Sequence, residues 1–285
     1  MRQIIGIFFW KPGRRKHILC TAPLRKRRES MYLTIQGIVL RVSDYGDHDA
    51  LLTVLSRKHG KLTVKARGLR RKNSPLSAVC QLLAYGEFTL FESRGQYSIN
   101  EAHVLNLFQK LRGNLEELSL ASYFAQVSEV LSQEDYPTPE LQSLLLNCLY
   151  VLSELKLPLN QVKAVFELRA ACLSGYAPDL FGCHVCGSQT PDRFDLSSGL
   201  LECQNCRDVS SSGIRLPVTP GILEAMRYIC FCEPKKLFSF RLNQQLMNQL
   251  SHITEGFLTT QLERGFSALD YYKSICIQNQ ELEST

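Results

Sequence analysis

The sequence predicts an α+β, multidomain chain: a small N-terminal β-barrel, then an α-helical bundle interrupted by an inserted four-cysteine unit. Three observations predict it. Short runs of β-branched and aliphatic residues between turn signals fill Leu33 to Leu105, and after Arg112 the apolar period changes to three and four residues. "CHVCGSQTPDRFDLSSGLLECQNC", from Cys183 to Cys206, then carries two C-x2-C pairs with sixteen residues between them. The expected boundaries are 1–30 for a basic leader, 31–110 for the barrel, 111–178 and 214–285 for the helical part and 179–213 for the cysteine unit.

The chain has 285 residues, 45% hydrophobic and 21% charged, with mean hydropathy −0.10, which fits a globular protein and excludes a disordered one. No apolar run reaches the length of a membrane span, and "IIGIFFW" lacks a following small-residue cleavage site. Of eleven cysteines only Cys183, Cys186, Cys203 and Cys206 are patterned, so the expectation is a reducing cytoplasm with no membrane association. The first thirty residues hold nine Lys/Arg against one Glu and no sustained period. They read as an unstructured leader, either upstream of a true start at Met31 or a basic arm.

Taken in order, the strand runs are "LTIQGIVLRV", "ALLTVLSR", "KLTVKARG", the longer "VCQLLAYGEFTLFES" (Val79 to Ser93) and "QYSINEAHVL". Turns at "DYGDHD", "KHG" and Arg94-Gly95 separate antiparallel neighbours. Five short strands suggest a small closed or partly open barrel, of which the OB-fold is the commonest five-stranded case; a small sandwich is the alternative. Helices follow at "LEELSLASYFAQVSEVLS", "TPELQSLLLNCLYVLSEL" and "PLNQVKAVFELRAACLSG", the last capped by Gly175. Thr219-Pro220 opens another, and Leu242 to Leu262 forms a further one.

The spacing of Cys183, Cys186, Cys203 and Cys206 predicts one zinc held by four thiolates, with Gly187 suiting the first tight turn. Four protein ligands leave no open position for water or substrate, so the metal reads as structural. Few large apolar residues lie between Cys186 and Leu200, so the metal is expected to hold the shape of these loops. His184 reads as solvent-facing rather than as a ligand.

"RKHGKLTVKARGLRRK", Arg57 to Lys72, carries eight Lys/Arg and no acid in sixteen residues. Strand alternation places Lys61, Thr63, Lys65 and Arg67 on one face and Leu62, Val64 and Ala66 on the other. Arg57, Lys61, Lys65, Arg67, Arg70, Arg71 and Lys72 are therefore the candidate contacts to a nucleic-acid backbone. Tyr45, Tyr85, Phe88, Phe91 and Tyr97 lie close enough in sequence to stack bases, although Phe88 and Phe91 cannot share a face. No phosphate-binding loop, nucleophile elbow or zinc-protease motif occurs, so no enzymatic activity is expected. "YGDHD" reads as a hydrophilic hairpin connection rather than a metal site.

With these residues in view, "GIVLRVSDYGDHDALLTVLSRKHGKLTVKARGLRRKNS", followed by a helical part with a four-cysteine insertion, resembles the RecO recombination mediators of bacterial DNA repair, in their zinc-finger-bearing branch. Departures are Asp47 where that family often has Glu, and the thirty leader residues. The resemblance implies a non-catalytic, nucleoid-associated mediator that binds single- and double-stranded DNA and anneals complementary strands. It further implies contact with RecR and single-strand-binding protein, so that RecA loads indirectly. The rival from another class is a zinc-ribbon RNA-binding or transcription-associated factor. Against it, Cys183 to Cys206 holds one basic residue, Arg193, and three acids, Asp192, Asp195 and Glu202.

Overall fold

The computed structural model describes residues 32–206 and 213–283, so the leader expected at 1–30 lies outside the described residues, as do 207–212 of the cysteine unit. Five strands open the chain: β1 (Tyr32–Tyr45), β2 (Asp49–Ser56), β3 (Gly60–Ala66), β4 (Tyr85–Ser93) and β5 (Gln96–Asn106). They close into a barrel in the order β1-β2-β3-β5-β4, with β1 paired antiparallel to both β2 and β4, and a short parallel pairing of β3 with β5 sealing the ring. The barrel is OB-like, and the sandwich alternative falls away. Closure removes the unpaired edges of an open sheet. Its interior is filled by Ile35, Val39, Leu52, Val54, Leu62, Val64, Phe88 and Leu90.

One expected strand is shorter than its apolar run. Val79 to Ala84 turns instead: Cys80 N–H bonds Leu76 O, Leu83 takes a φ of 65°, and the strand begins only at Tyr85. Val79, Cys80, Leu83 and Ala84 are nonetheless buried, so the run is apolar because it plugs the core, not because it is extended. A bulge between Val39 and Arg41 lets β1 bend around the barrel, where the Val39 N–H donates to Ala84 O.

The helices are α1 (Leu115–Leu131), α2 (Pro139–Tyr150) with a wider turn over Val151–Leu155, α3 (Leu159–Leu173), α4 (Pro220–Phe231), α5 (Gln244–Gln261) and α6 (Ser267–Glu283). Caps fix their starts: Asn114, Thr219 and Asn243 accept the N–H groups of Glu117, Ile222 and Leu246. Gly175 follows α3 at a φ of 91°. Half of the barrel's outer wall, Ile38, Leu40 and Leu55, joins the helical core with Tyr123, Phe124, Leu145 and Phe166. Gln142 on α2 donates to Leu55 O at 2.9 Å across that seam. At the β2–β3 turn Gly60 has a φ of 63°, and a Cβ there would sit 2.1 Å from Tyr136 O, so only glycine admits this close approach.

Three short strands complete the fold, β6 (Arg193–Asp195), β7 (Leu201–Glu202) and β8 (Arg215–Pro217), in the order β7-β6-β8. Among the described residues no helix is long and apolar enough to cross a membrane.

Candidate nucleic-acid interface and metal clamp

Alternation along β3 buries Leu62, Val64 and Ala66 and leaves Lys61, Thr63 and Lys65 on the outer face, with Arg67 exposed just beyond. Register extends this face across the neighbouring strands. Arg41 lies opposite Thr53 and Thr53 opposite Thr63; Ser43 lies opposite Leu51 and Leu51 opposite Lys65. Along these rows Arg41 and Thr63 are exposed and Ser43, Leu51 and Lys65 half-buried, while Thr53 is buried between its neighbours.

The basic loop after β3 is held by the hairpin turn between β1 and β2. Asp49 pairs with Lys65 at 2.9 Å and accepts the Gly68 N–H at 2.8 Å. His48 O accepts the Arg70 N–H at 3.0 Å, and the Arg70 guanidinium meets Asp44 at 3.2 Å. The Gly68 N–H, then Lys65, hold the Asp49 carboxyl below the ordinary carboxylate range. "YGDHD", which reads in the sequence as a plain connection, is thus the scaffold of the basic loop. Lys65 also stands 4.6 Å over the Tyr45 ring, which is 49% exposed.

The seven sequence-predicted cations fall into two groups. Lys65, Arg67, Arg70, Arg71 and Lys72 gather around the hairpin turn, and among the described residues Arg67, Arg71 and Lys72 pair with no carboxylate. Lys61 and Arg57 sit at the far end of β3, roughly 20 Å along a seven-residue strand. There Lys61 donates to Glu129 O at the end of α1 at 3.0 Å, and Arg57 borders a hollow shared with Leu144 and Arg169. Of the aromatic candidates, Phe88 is core, Tyr85, Phe91 and Tyr97 are half-buried, and Tyr45 is exposed. Tyr32, 60% exposed and packed at 5.5 Å against Phe91, joins them; it carries no signal in the sequence because it stands alone at the strand's start.

The four predicted metal ligands do come together. The Sγ atoms of Cys183, Cys186, Cys203 and Cys206 lie within 4.8 Å of one another, and Cys186 and Cys203 are 3.7 Å apart. A tetrahedron with Zn–S bonds of about 2.3 Å has edges of about 3.8 Å, so the cage fits a zinc ion. Gly187, at a φ of 73°, lets its N–H turn back to Cys183 O at 2.8 Å. Burial opposes ionisation of the Cys183 thiol, but the N–H groups of Cys186, Val185 and Cys203 and the Cys203 thiol together bring it down to about 6. His184 is no ligand; it faces Glu202 at 3.5 Å.

One expectation about this unit is corrected. The ribbon does not depend on the metal for all of its shape, because Phe194 and Leu201 are fully buried and Leu196 nearly so, all within the helical core. Phe194 packs on Phe257 of α5 at 5.3 Å, and Gln261 donates to Leu196 O and Ser197 O. Root and tip are therefore held by different forces.

Two clusters escape sequence reasoning. Lys163 and Glu167, spaced i,i+4 on α3 and not singled out in the sequence, are 4% and 0% exposed and bond at 3.0 Å, with Glu255 at 2.8 Å from Lys163. Tyr123 and Thr254 donate to Glu167 at 2.9 and 2.8 Å. Cys172 and Cys230, which look incidental in the sequence, bring their sulfurs to 3.5 Å.

Comparison with known proteins agrees with this architecture. The family model described as "Recombination protein O N terminal" matches residues 31–108, and "Recombination protein O C terminal" matches residues 112–270. The chain belongs to the RecO family. A curated DNA repair protein RecO of Acetivibrio thermocellus is 32% identical over 247 residues, 86% of this chain and 97% of the relative. That of Alkaliphilus metalliredigens is 28% identical over 248 residues, 86% of this chain and 100% of the relative. The match to RecO begins at Met31, where the strand pattern begins.

Proposed function

We propose that this RecO-family chain acts in DNA repair and recombination as a non-catalytic mediator that binds the backbone of single- and double-stranded DNA through the open half of its barrel. The observation that carries this reading is the set of cations Arg67, Arg71 and Lys72, which meet no carboxylate among the described residues, beside exposed Tyr45, on a loop pinned by Asp44 and Asp49. Charge spread along a strand face and a stacking ring are what a strand without fixed base contacts needs. The four-thiolate clamp offers no open coordination position, which supports a structural role for the zinc. Annealing of complementary strands, contact with RecR and single-strand-binding protein, and indirect service to RecA are part of the same proposal, supported only by the family likeness.

Replacing Arg67, Arg71 and Lys72 together by Ala tests the interface. With a labelled single strand, the log–log salt slope should flatten by about 2, at about 0.7 for each phosphate that is no longer neutralised. The loss should be similar for unrelated sequences. An unchanged slope and affinity would remove this face from the reading. The mediator role is tested by ATP-free annealing of bare and protein-coated strands, and failure to anneal either would reject it. The RNA-binding alternative draws little support from the finger, whose Cys183–Cys206 span sets Arg193 alone against Asp192, Asp195 and Glu202.

A further inference from the structure

At the Lys61 end of the barrel face, β1, β3, α1 and the loop before α6 enclose a cleft of about 410 Å³, lined by Arg41, Lys61, Gln126, Glu129, Arg264 and Ser267 among others. It draws cations from two distant parts of the chain, the barrel and the loop before α6. Glu129 is the one carboxylate on its lining, against three cations. That carboxylate is already engaged by Arg41 Nε at 3.0 Å, and Arg41 also reaches Thr53 Oγ1 at 3.5 Å. Lys61 spends one donor on Glu129 O at 3.0 Å and keeps two. Arg264 is exposed, pairs with no carboxylate among the described residues, and lies 5.3 Å over the Phe266 ring.

The cleft is also continuous with the barrel face, and its walls are linked. Gln126 of α1 bridges to Ser267 Oγ and to the Ala268 N–H, each at 3.2 Å, tying two walls together. Arg41, Thr53 and Thr63 form one cross-strand row, and Thr63 lies between Lys61 and Lys65 along β3. A polyanion laid along the outer side of β3 from Arg67 passes Lys65 and Thr63 and arrives at Lys61. Beyond that point the helices cover the wall.

Resting on the reading of the barrel as a DNA-binding face, we propose that this cleft is a phosphate pocket that takes a backbone phosphodiester of the bound single strand, with Arg41 and Arg264 as contacts. Two of the three positive charges remain uncompensated after Glu129 is counted. Arg264 makes the helical part a direct participant in binding.

The test is fluorescence anisotropy of a labelled oligothymidylate against salt, using the full chain, R264A, R41A and R264K, with R71A/K72A as the reference for the barrel face. R264A and R41A should each lower the slope by about 0.7 and, at 0.1 M salt, weaken binding by about fivefold. R264K should restore most of the R264A loss, and the melting temperature of R264A should match the parent. Parent-like slopes in R264A and R41A, alongside a flattened slope in R71A/K72A, would overturn the pocket and leave the face standing. Parent-like slopes in all variants would reject the face and the pocket together. Weaker binding in R264A with an unchanged slope would also overturn the proposal, because a strand held by one phosphate fewer must release fewer counterions.

Discussion

Asp44→Ala and Asp49→Ala each remove one carboxylate from the same hairpin turn, yet they should move DNA affinity in opposite directions. Asp44 touches the basic loop only through Arg70, at 3.2 Å, with the two side chains 72% and 44% exposed. Such a pair is worth about 0.2–1 kcal/mol. Releasing Arg70 to a phosphate should therefore tighten binding by about 1.4- to 5-fold, the factor those energies correspond to. Asp49 frees Lys65 in the same way but also holds the Gly68 N–H at 2.8 Å, the bond that sets the loop's course after β3. Losing it spreads Arg67, Arg71 and Lys72 over many conformations that must be reordered on binding. Asp49→Ala should bind more weakly than the parent despite its higher net charge. Anisotropy titrations of both variants at one salt concentration read this out, with melting curves as a control. Equal tightening in both would show that the turn contributes charge alone and would refute the scaffold argument.

The remaining predictions concern stability, metal and pH. Purified protein should carry one zinc per chain, and Cys206→Ser should lose it while the helical part keeps its melting transition, because Phe194 and Leu201 stay buried without the clamp; metal analysis and helical circular dichroism decide. Lys163→Met strands Glu167 and Glu255 without their shared cation and should cost about 3–5 kcal/mol, seen as a fall of roughly 10 °C in Tm. Because Asp49 ionises below its unfolded value near 3.9, its hold on Gly68 is fully present above about pH 4 and is lost as pH falls through the depressed folded value. Amide exchange at Gly68 should accordingly show no Asp49 titration between about pH 5 and 8, once corrected for intrinsic rate; a step there would contradict it.

Much of the fold can be read in the chain because local signals and tertiary demands agree. The alternation in "KLTVKARG" survives into β3 residue for residue, and Thr219-Pro220 and Asn243 cap the helices they open. The cysteine cage is legible because its spacing has one common geometric use. What escapes depends on distance along the chain. Arg41 and Arg264 are separated by 223 positions and share no pattern, so only the packing of α1 against α6 reveals that they face one cleft. Lys163 and Glu167 carry the signature of a solvated pair, and nothing local tells that α5 covers them. Val79 to Ala84 reads as strand because burial and extension give the same apolar run.

The split between a root held by packing and a tip held by thiolates bears on how the unit can change over generations. Each cysteine at the tip is useful only with the other three, so the loss of one relaxes selection on the rest. Phe194 and Leu201 serve the helical core whatever the tip becomes. A descendant lineage can therefore discard all four thiolates through a few intermediates that still fold, and restore them only by regaining a complete set. Lineages short of zinc should show this asymmetry, with large apolar residues kept at the positions of Phe194 and Leu201 where the cysteines are gone.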